Sequence, residues 1–388
     1  MKKLFLVIGT LLILGIFFLL PNQNLNDKGY SQDVINSIVK SNNRFSFNLF
    51  KEMNNNTNTF FSPLSIYSAF AICYEGSNTT TREEMSKVFG FPEKEELRPN
   101  LAHIYNTLDK DIKLANAIWV QKGFPLLKSY TSNVKEYFGA NARILDFIHK
   151  TEESRKTINN YISIHTNGKI KELIQKGVLN KLTRVVITNA IYFKGKWKYR
   201  FDKSLTKEMD FFTSNETIKV QMMHLKSDKA FNYSRTKDFE AIELPYKDSV
   251  SMVVVLTNKS MSYDLFNAIL GNMSHVAVND IYLPKFKIET TYRLNQMLEN
   301  MGLRDSFTSK ADFSEMTGKK DLFISDVIHK AYVEVDEEGT EAAAATAIVM
   351  KVTAMPDTIV FKADRPFYFF IINKRNNNIL FFGRVVKI

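Results

Sequence analysis

Apolar residues recur at helical spacing early in the chain and gather into continuous runs towards its end. Between 31 and 53, Val34, Ile38, Phe45, Leu49 and Met53 predict an amphipathic helix. Ser62-Pro63 opens a second helix, with Ser as N-cap and Pro in the first turn. Its body, 66–74, is almost wholly apolar. Past the polar stretch 78–81 a short helix is predicted at 82–88, then helices at 127–138 and 152–166, with 113–120 (KLANAIWV) as a strand. From Arg184 onward the pattern changes. Residues 185–193 form a nearly unbroken apolar run, as expected for a strand buried on both faces. Strands are predicted at 217–225, 239–245, 250–257, 276–288, 326–336, 358–363, 367–373 and 379–386, and helices near 260–270 and at 290–301. Helices crowd the first half and strands the second, so the fold class is α+β, organised by large sheets.

The first twenty residues stand apart. Met1-Lys2-Lys3 precedes a predominantly apolar stretch, 4–20. As a helix it would be about 25 Å long, slightly short of a bilayer core of about 30 Å. It is also longer than the usual apolar part of a cleaved signal, and no A-x-A-like site follows it. The leading lysines favour an N-terminus left inside the cell. Residues 1–20 are therefore read as an export signal or anchor, with an uncleaved anchor favoured, which makes the protein extracellular or cell-surface and gives it a membrane attachment if uncleaved. The polar stretch 21–30 follows as a linker. No other linker and no internal repeat is evident, so 31–388 is read as a single domain, expected to be monomeric.

Composition narrows the function. The 388 residues are 45% hydrophobic and 24% charged, a globular composition. The net charge of +11 could attract polyanions. However, Glu83, Glu84, Glu93, Glu95 and Glu96 are interspersed with Lys87, Lys94 and Arg98, and the densest basic cluster is Lys194, Lys196, Lys198 and Arg200 around Trp197. An ordinary solvated face is favoured there; a polyanion stays a candidate partner, and nucleic acid is not expected. Cys73, the sole cysteine, lies in the apolar helix 66–74 and reads as a buried, inert thiol. No G-x-S-x-G, H-E-x-x-H, Walker or dinucleotide signature is present, and the six histidines lack metal-ligand spacing. Neither an enzyme nor a metal or cofactor protein is indicated.

The informative segment is VEVDEEGTEAAAATAIVMKVTAMP, 333–356. It begins as a strand, passes Glu337-Glu338-Gly339 and continues into the four alanines Ala342, Ala343, Ala344 and Ala345. If the whole segment were extended, residues 340, 342, 344, 346, 348, 350 and 352 would share one face, carrying only Thr, Ala, Ile, Met and Val. Glu341 and Lys351 both fall on the other. Such a strand could enter a sheet without burying a charge.

EEGTEAAAAT resembles the hinge of the inhibitory serpins, and FFSPLSI (60–66), TNAIYFKGKW (188–197), LPKFKIE (283–289), HKAYVEVDEEGTEA (329–342), RPFYFFI (365–371) and ILFFGRV (379–385) agree with that family in order. The resemblance implies several helices packed on three β-sheets with an exposed reactive loop. It implies a suicide-substrate inhibitor of serine proteases, with cysteine proteases as a further class. The loop would be cleaved to an acyl-enzyme and then insert, over 340–352, into the central sheet. The hinge is Glu337, Glu338, Gly339, Thr340, Glu341 and Ala342 to Ala345. Counting fourteen residues on from Gly339 places the reactive bond at Thr353-Ala354; Lys351 is the main alternative, with Met350 and Met355 weaker. A small β-branched bait suits elastase-like or subtilisin-like enzymes, held as a covalent complex. Ser62, Ser65, Asn189 and His329 match the family's cluster gating sheet opening, and Glu337 with Lys285 matches a pair bracing the site where insertion begins. The alternative reading is a non-inhibitory serpin-like carrier, chaperone or polyanion-binding surface protein. The small residues of this hinge weigh against it.

Overall fold

The computed structural model describes residues 24–53, 56–109, 112–340 and 358–388. The apolar stretch 4–20, hinge residues Glu341 and Ala342 to Ala345, and the bait candidates Met350, Lys351, Thr353, Ala354 and Met355 lie outside the described residues. Among the described residues no helix is long and apolar enough to cross a membrane.

Three sheets form the frame. The central one runs in the order Asn141–Leu145, Ile112–Gln121, Val185–Phe193, Ile324–Asp336, with Phe286–Arg293 also paired to Ile324–Asp336. Val185–Phe193 and Ile324–Asp336 run parallel and pair directly, from Val185 opposite Ile324 to Tyr192 opposite Tyr332. A second seven-stranded sheet contains Val250–Thr257, Phe367–Asn373 and Asn378–Val385. A four-stranded sheet contains Thr217–Lys226, Asp280–Pro284 and Val360–Lys362.

The apolar run 185–193 is buried at every position, for the reason the pattern predicts. Val185, Ile187, Ile191 and Phe193 face the main core with its cluster of phenylalanines, whereas Val186 and Ala190 face a second core. That second core is roofed by the helix Thr151–His165, which contributes Ile158, Tyr161 and Ile162 over Trp119 and Ile328. The helix Pro63–Gly76 is buried on all sides, including Cys73, whose thiol burial pushes well above its usual range.

Several elements depart from the pattern. The predicted helix 290–301 is strand as far as Arg293, since Thr290, Thr291 and Tyr292 continue the pairing with Ile324–Asp336; only Asn295–Asn300 is helical. The predicted strand 276–288 is three strands, Ser274–Ala277, Asp280–Pro284 and Phe286–Arg293. A helix at Lys94–Asn106 was obscured by Pro99 and surrounding charge, although Leu97, Leu101 and Ile104 supply its buried stripe. The stretch 24–30, polar as a linker should be, lies against this helix and Lys128–Phe138. The Asn26 amide N–H donates to the Glu136 carbonyl at 3.1 Å, Asn106 Nδ2 to the Leu25 carbonyl at 3.0 Å, and Tyr30 stacks on His103.

Candidate functional site

Where the two parallel strands of the central sheet end, the chain leaves Ile324–Asp336, turns through Glu337 and Glu338, and returns as Gly339–Thr340. These two residues pair with Val335 and Asp336 on one side and with Gly195–Lys196 on the other. They therefore occupy a strand position between the neighbours that pair directly lower down. Gly339 is required there: its φ of +149° disfavours any side chain, and a Cβ would collide with the carbonyl oxygen of Gly195. Asp336 Oδ1 closes the turn by accepting from the Glu338 and Gly339 amides at 2.9 and 3.2 Å.

Both turn carboxylates are buried and both are paired. Lys285 Nζ donates to Glu337 at 2.9 and 3.2 Å, and Thr206 Oγ1 donates to it at 2.8 Å. Burial alone would raise the Glu337 pKa, but these donors outweigh it and hold the carboxyl below its ordinary value. Glu338 is met by Arg200 at 3.0 Å and by Lys203 Nζ at 3.4 Å. Of the basic cluster around Trp197, Arg200 is thus committed to the turn, while Lys194, Lys196 and Lys198 are exposed. Trp197 is buried: its Nε1–H donates to the Asp336 carbonyl at 2.9 Å and its ring stacks on Tyr246 at 4.3 Å.

Midway down the sheet, Ser62, Ser65, Asn189 and His329 converge. The Ser62 amide donates to His329 Nε2 at 3.1 Å, so the ring proton sits on Nδ1, which donates to Asn189 Oδ1. Asn189 Nδ2 in turn donates to Ser65 Oγ at 2.6 Å and to Asn116 Oδ1 at 2.7 Å. Ser62 Oγ accepts from the Ser65 amide and donates to the Leu380 carbonyl at 2.6 Å. Asn116, Asn189 and His329 are directly opposed on three adjacent strands, and Tyr292 continues the row on a fourth. Burial drives the His329 pKa down to about 3. The neutral ring has both nitrogens satisfied, and a second proton would have to displace the Ser62 amide.

Asn116, Tyr246 and Thr206 escaped the sequence reading. Asn116 had a signal, as the one polar residue in the run 114–120 (LANAIWV); Tyr246, at a hairpin turn of another sheet, had none. Among the described residues no group of three or more His, Cys, Asp or Glu could hold a metal.

The family model for serpins, described as serine protease inhibitors, matches residues 40–388. The chain belongs to the serpin family. Among similar proteins is a serpin-like protein of the archaeon Methanosarcina mazei, 39% identical over 90% of this chain and 87% of its own. A leukocyte elastase inhibitor of the frog Xenopus tropicalis is 38% identical over 88% of this serpin and 96% of the frog protein. Among solved structures, a highly specific serpin of the insect Tenebrio molitor superposes with a TM-score of 0.84 at 31% identity, covering 93% of this chain and all of that one. Uncleaved ovalbumin superposes with a TM-score of 0.80 at 29% identity, covering 91% and 100%. The three-sheet architecture expected from the resemblance is the one found.

Proposed function

We propose that this serpin is a suicide-substrate inhibitor of serine proteases, with cysteine proteases forming an equivalent acyl-enzyme as a further class. The observation that carries the reading is the start of an extra strand, Gly339–Thr340, installed above a slot that is closed from Val185–Ile324 to Tyr192–Tyr332. The protease serine oxygen attacks the Thr353 carbonyl carbon; the bond to Ala354 breaks, its nitrogen leaves with a proton, and an ester remains. Residues 341–352 then extend the strand that Thr340 begins, and the tethered protease is carried along the sheet before water can cleave the ester. Lys351 is the alternative bait.

In this scheme the Asn116–Asn189–His329 row with Ser62 and Ser65 gates the slot, because insertion must separate Asn189 from His329. Glu337 and Lys285 brace the turn from which insertion starts. An elastase-like or subtilisin-like target is supported by the small bait residue and by the frog relative, which is named for an elastase. Export, attachment through residues 4–20, a monomeric state and a polyanion contact at Lys194, Lys196 and Lys198 belong to the same proposal.

The test is incubation with a panel of serine proteases, followed by denaturing electrophoresis and sequencing of the released C-terminal peptide. An SDS-stable complex and a peptide beginning at Ala354 are expected; a peptide beginning at Val352 moves the bait to Lys351. Cleavage by every enzyme with no stable complex overturns the inhibitory reading.

A further inference from the structure

The strand that starts at Gly339–Thr340 needs an anchor at its first residues. Thr340 is 1% exposed, and its hydroxyl shares a 2.7 Å hydrogen bond with the hydroxyl of Tyr246, itself 1% exposed. Among the described residues neither hydroxyl has another partner. Tyr246 does not belong to the central sheet. It sits in the turn between Phe239–Pro245 and Val250–Thr257 of the second seven-stranded sheet, fixed by its amide, which donates to the Val250 carbonyl at 3.0 Å. Its ring is clamped between Trp197, stacked at 4.3 Å, and Phe193, edge-on at 5.0 Å. The hydroxyl is thus held at a fixed point in an apolar surrounding. If Thr340 left, Tyr246 would have a buried hydroxyl with nothing to bond.

We propose that Tyr246 is the catch that holds Thr340 in the sheet before any protease acts, so that strand addition begins from an installed first residue and outpaces hydrolysis of the acyl-enzyme. The second half of this proposal rests on the inhibitory reading; the first does not. Tyr246 is a positioning residue, acting on the reaction only through Thr340. It also makes residue 340 selective: a side chain there must be small and must bring a hydroxyl, as Ser does and Val, its near-isostere, does not.

The test uses the full chain in four variants: Tyr246→Phe, Thr340→Val, Thr340→Ser and the double variant Tyr246→Phe with Thr340→Val. Without any protease, amide exchange over 335–340 and Trp197 fluorescence report whether the hinge is seated. Either single loss of a hydroxyl should raise exchange there by roughly tenfold, the effect of one buried hydrogen bond. Thr340→Ser should stay near the parent. The double variant, with both polar groups gone, should return towards the parent, which a general loosening of the fold would not do. With a protease that the parent traps, the moles of serpin consumed per protease inactivated should rise in the single-loss variants and fall back in the double.

Unchanged exchange in Tyr246→Phe overturns the catch, whatever the protease result. Raised exchange with unchanged stoichiometry overturns its part in trapping. If no protease is trapped by the parent, the inhibitory reading fails while the exchange measurements still decide the catch.

Discussion

At the scale of single residues, His329 couples the closed slot to pH. Its folded-state pKa lies near 3, against 6.5 for an unburied histidine. Between those values the unfolded chain takes up a proton that the folded one refuses. Its contribution is therefore complete above about pH 6.5 and is lost as the pH falls towards 3, at about 1.4 kcal/mol per pH unit. Denaturant titrations of the parent and of His329→Gln at pH 5 to 7, where carboxylates change little, should show the parent losing stability faster on acidification. Parallel pH dependences would mean that His329 takes up its proton as readily in the folded chain as in the unfolded one. Ser62, Ser65, Asn189 and His329 were legible because they match a family pattern. No one of them announces itself, for a serine near a helix start or a histidine in a strand usually has an ordinary structural role. Asn116, which completes the row, could have been suspected from its place in the apolar run 114–120.

At the scale of elements, the strand begun by Gly339–Thr340 and the slot beneath it set the requirements for the proposed insertion. Thr340 is buried against Tyr246, so Thr340→Arg would force a guanidinium into a site built for a hydroxyl. That cost, on the order of several kcal/mol, opposes seating of the hinge and every later step of strand addition. The expected outcome is a substrate: the loop is cut at an undiminished rate, but SDS-stable complexes disappear and active protease is recovered. Retention of complexes at the parent's stoichiometry would mean that residue 340 does not enter the sheet. The one-sided charge pattern of 340–352 was legible because strand alternation needs no knowledge of partners. Other elements were hidden for a related reason. Thr290 to Arg293 is strand because Ile324–Asp336 lies beside it, and the helix Lys94–Asn106 keeps its buried stripe despite Pro99. Long-range pairing decided these elements, and it leaves little trace in local periodicity.

At the scale of the whole molecule, the proposed mechanism requires the fold to hold a strand's worth of pairing in reserve. The segment 341–357 connects Thr340, at the top of the central sheet, to Val360–Lys362 in the four-stranded sheet. Both attachments are paired, so in the proposed mechanism insertion into the slot between Val185–Phe193 and Ile324–Asp336 awaits the release of one of them. A single cut near the bait removes the second constraint. Insertion would then break one ladder, Val185–Tyr192 against Ile324–Tyr332, and form two in its place. With about 0.5–1.5 kcal/mol net for each added backbone hydrogen bond, a strand of this length should gain on the order of ten kcal/mol. The helix Thr151–His165 packs Ile158, Tyr161 and Ile162 over Val186, Ala190 and Ile328 of these strands, so the proposed parting would disturb that contact. Backbone cleavage ordinarily loosens a protein, so a rise in stability is a discriminating outcome. The measurement is to nick the loop with a protease that is not trapped, verify one cut between 349 and 355, and compare thermal unfolding before and after. The midpoint should rise by roughly ten degrees or more. An unchanged or lower midpoint would mean that the cut segment stays outside the sheet, and the non-inhibitory carrier would then be the better account of this serpin.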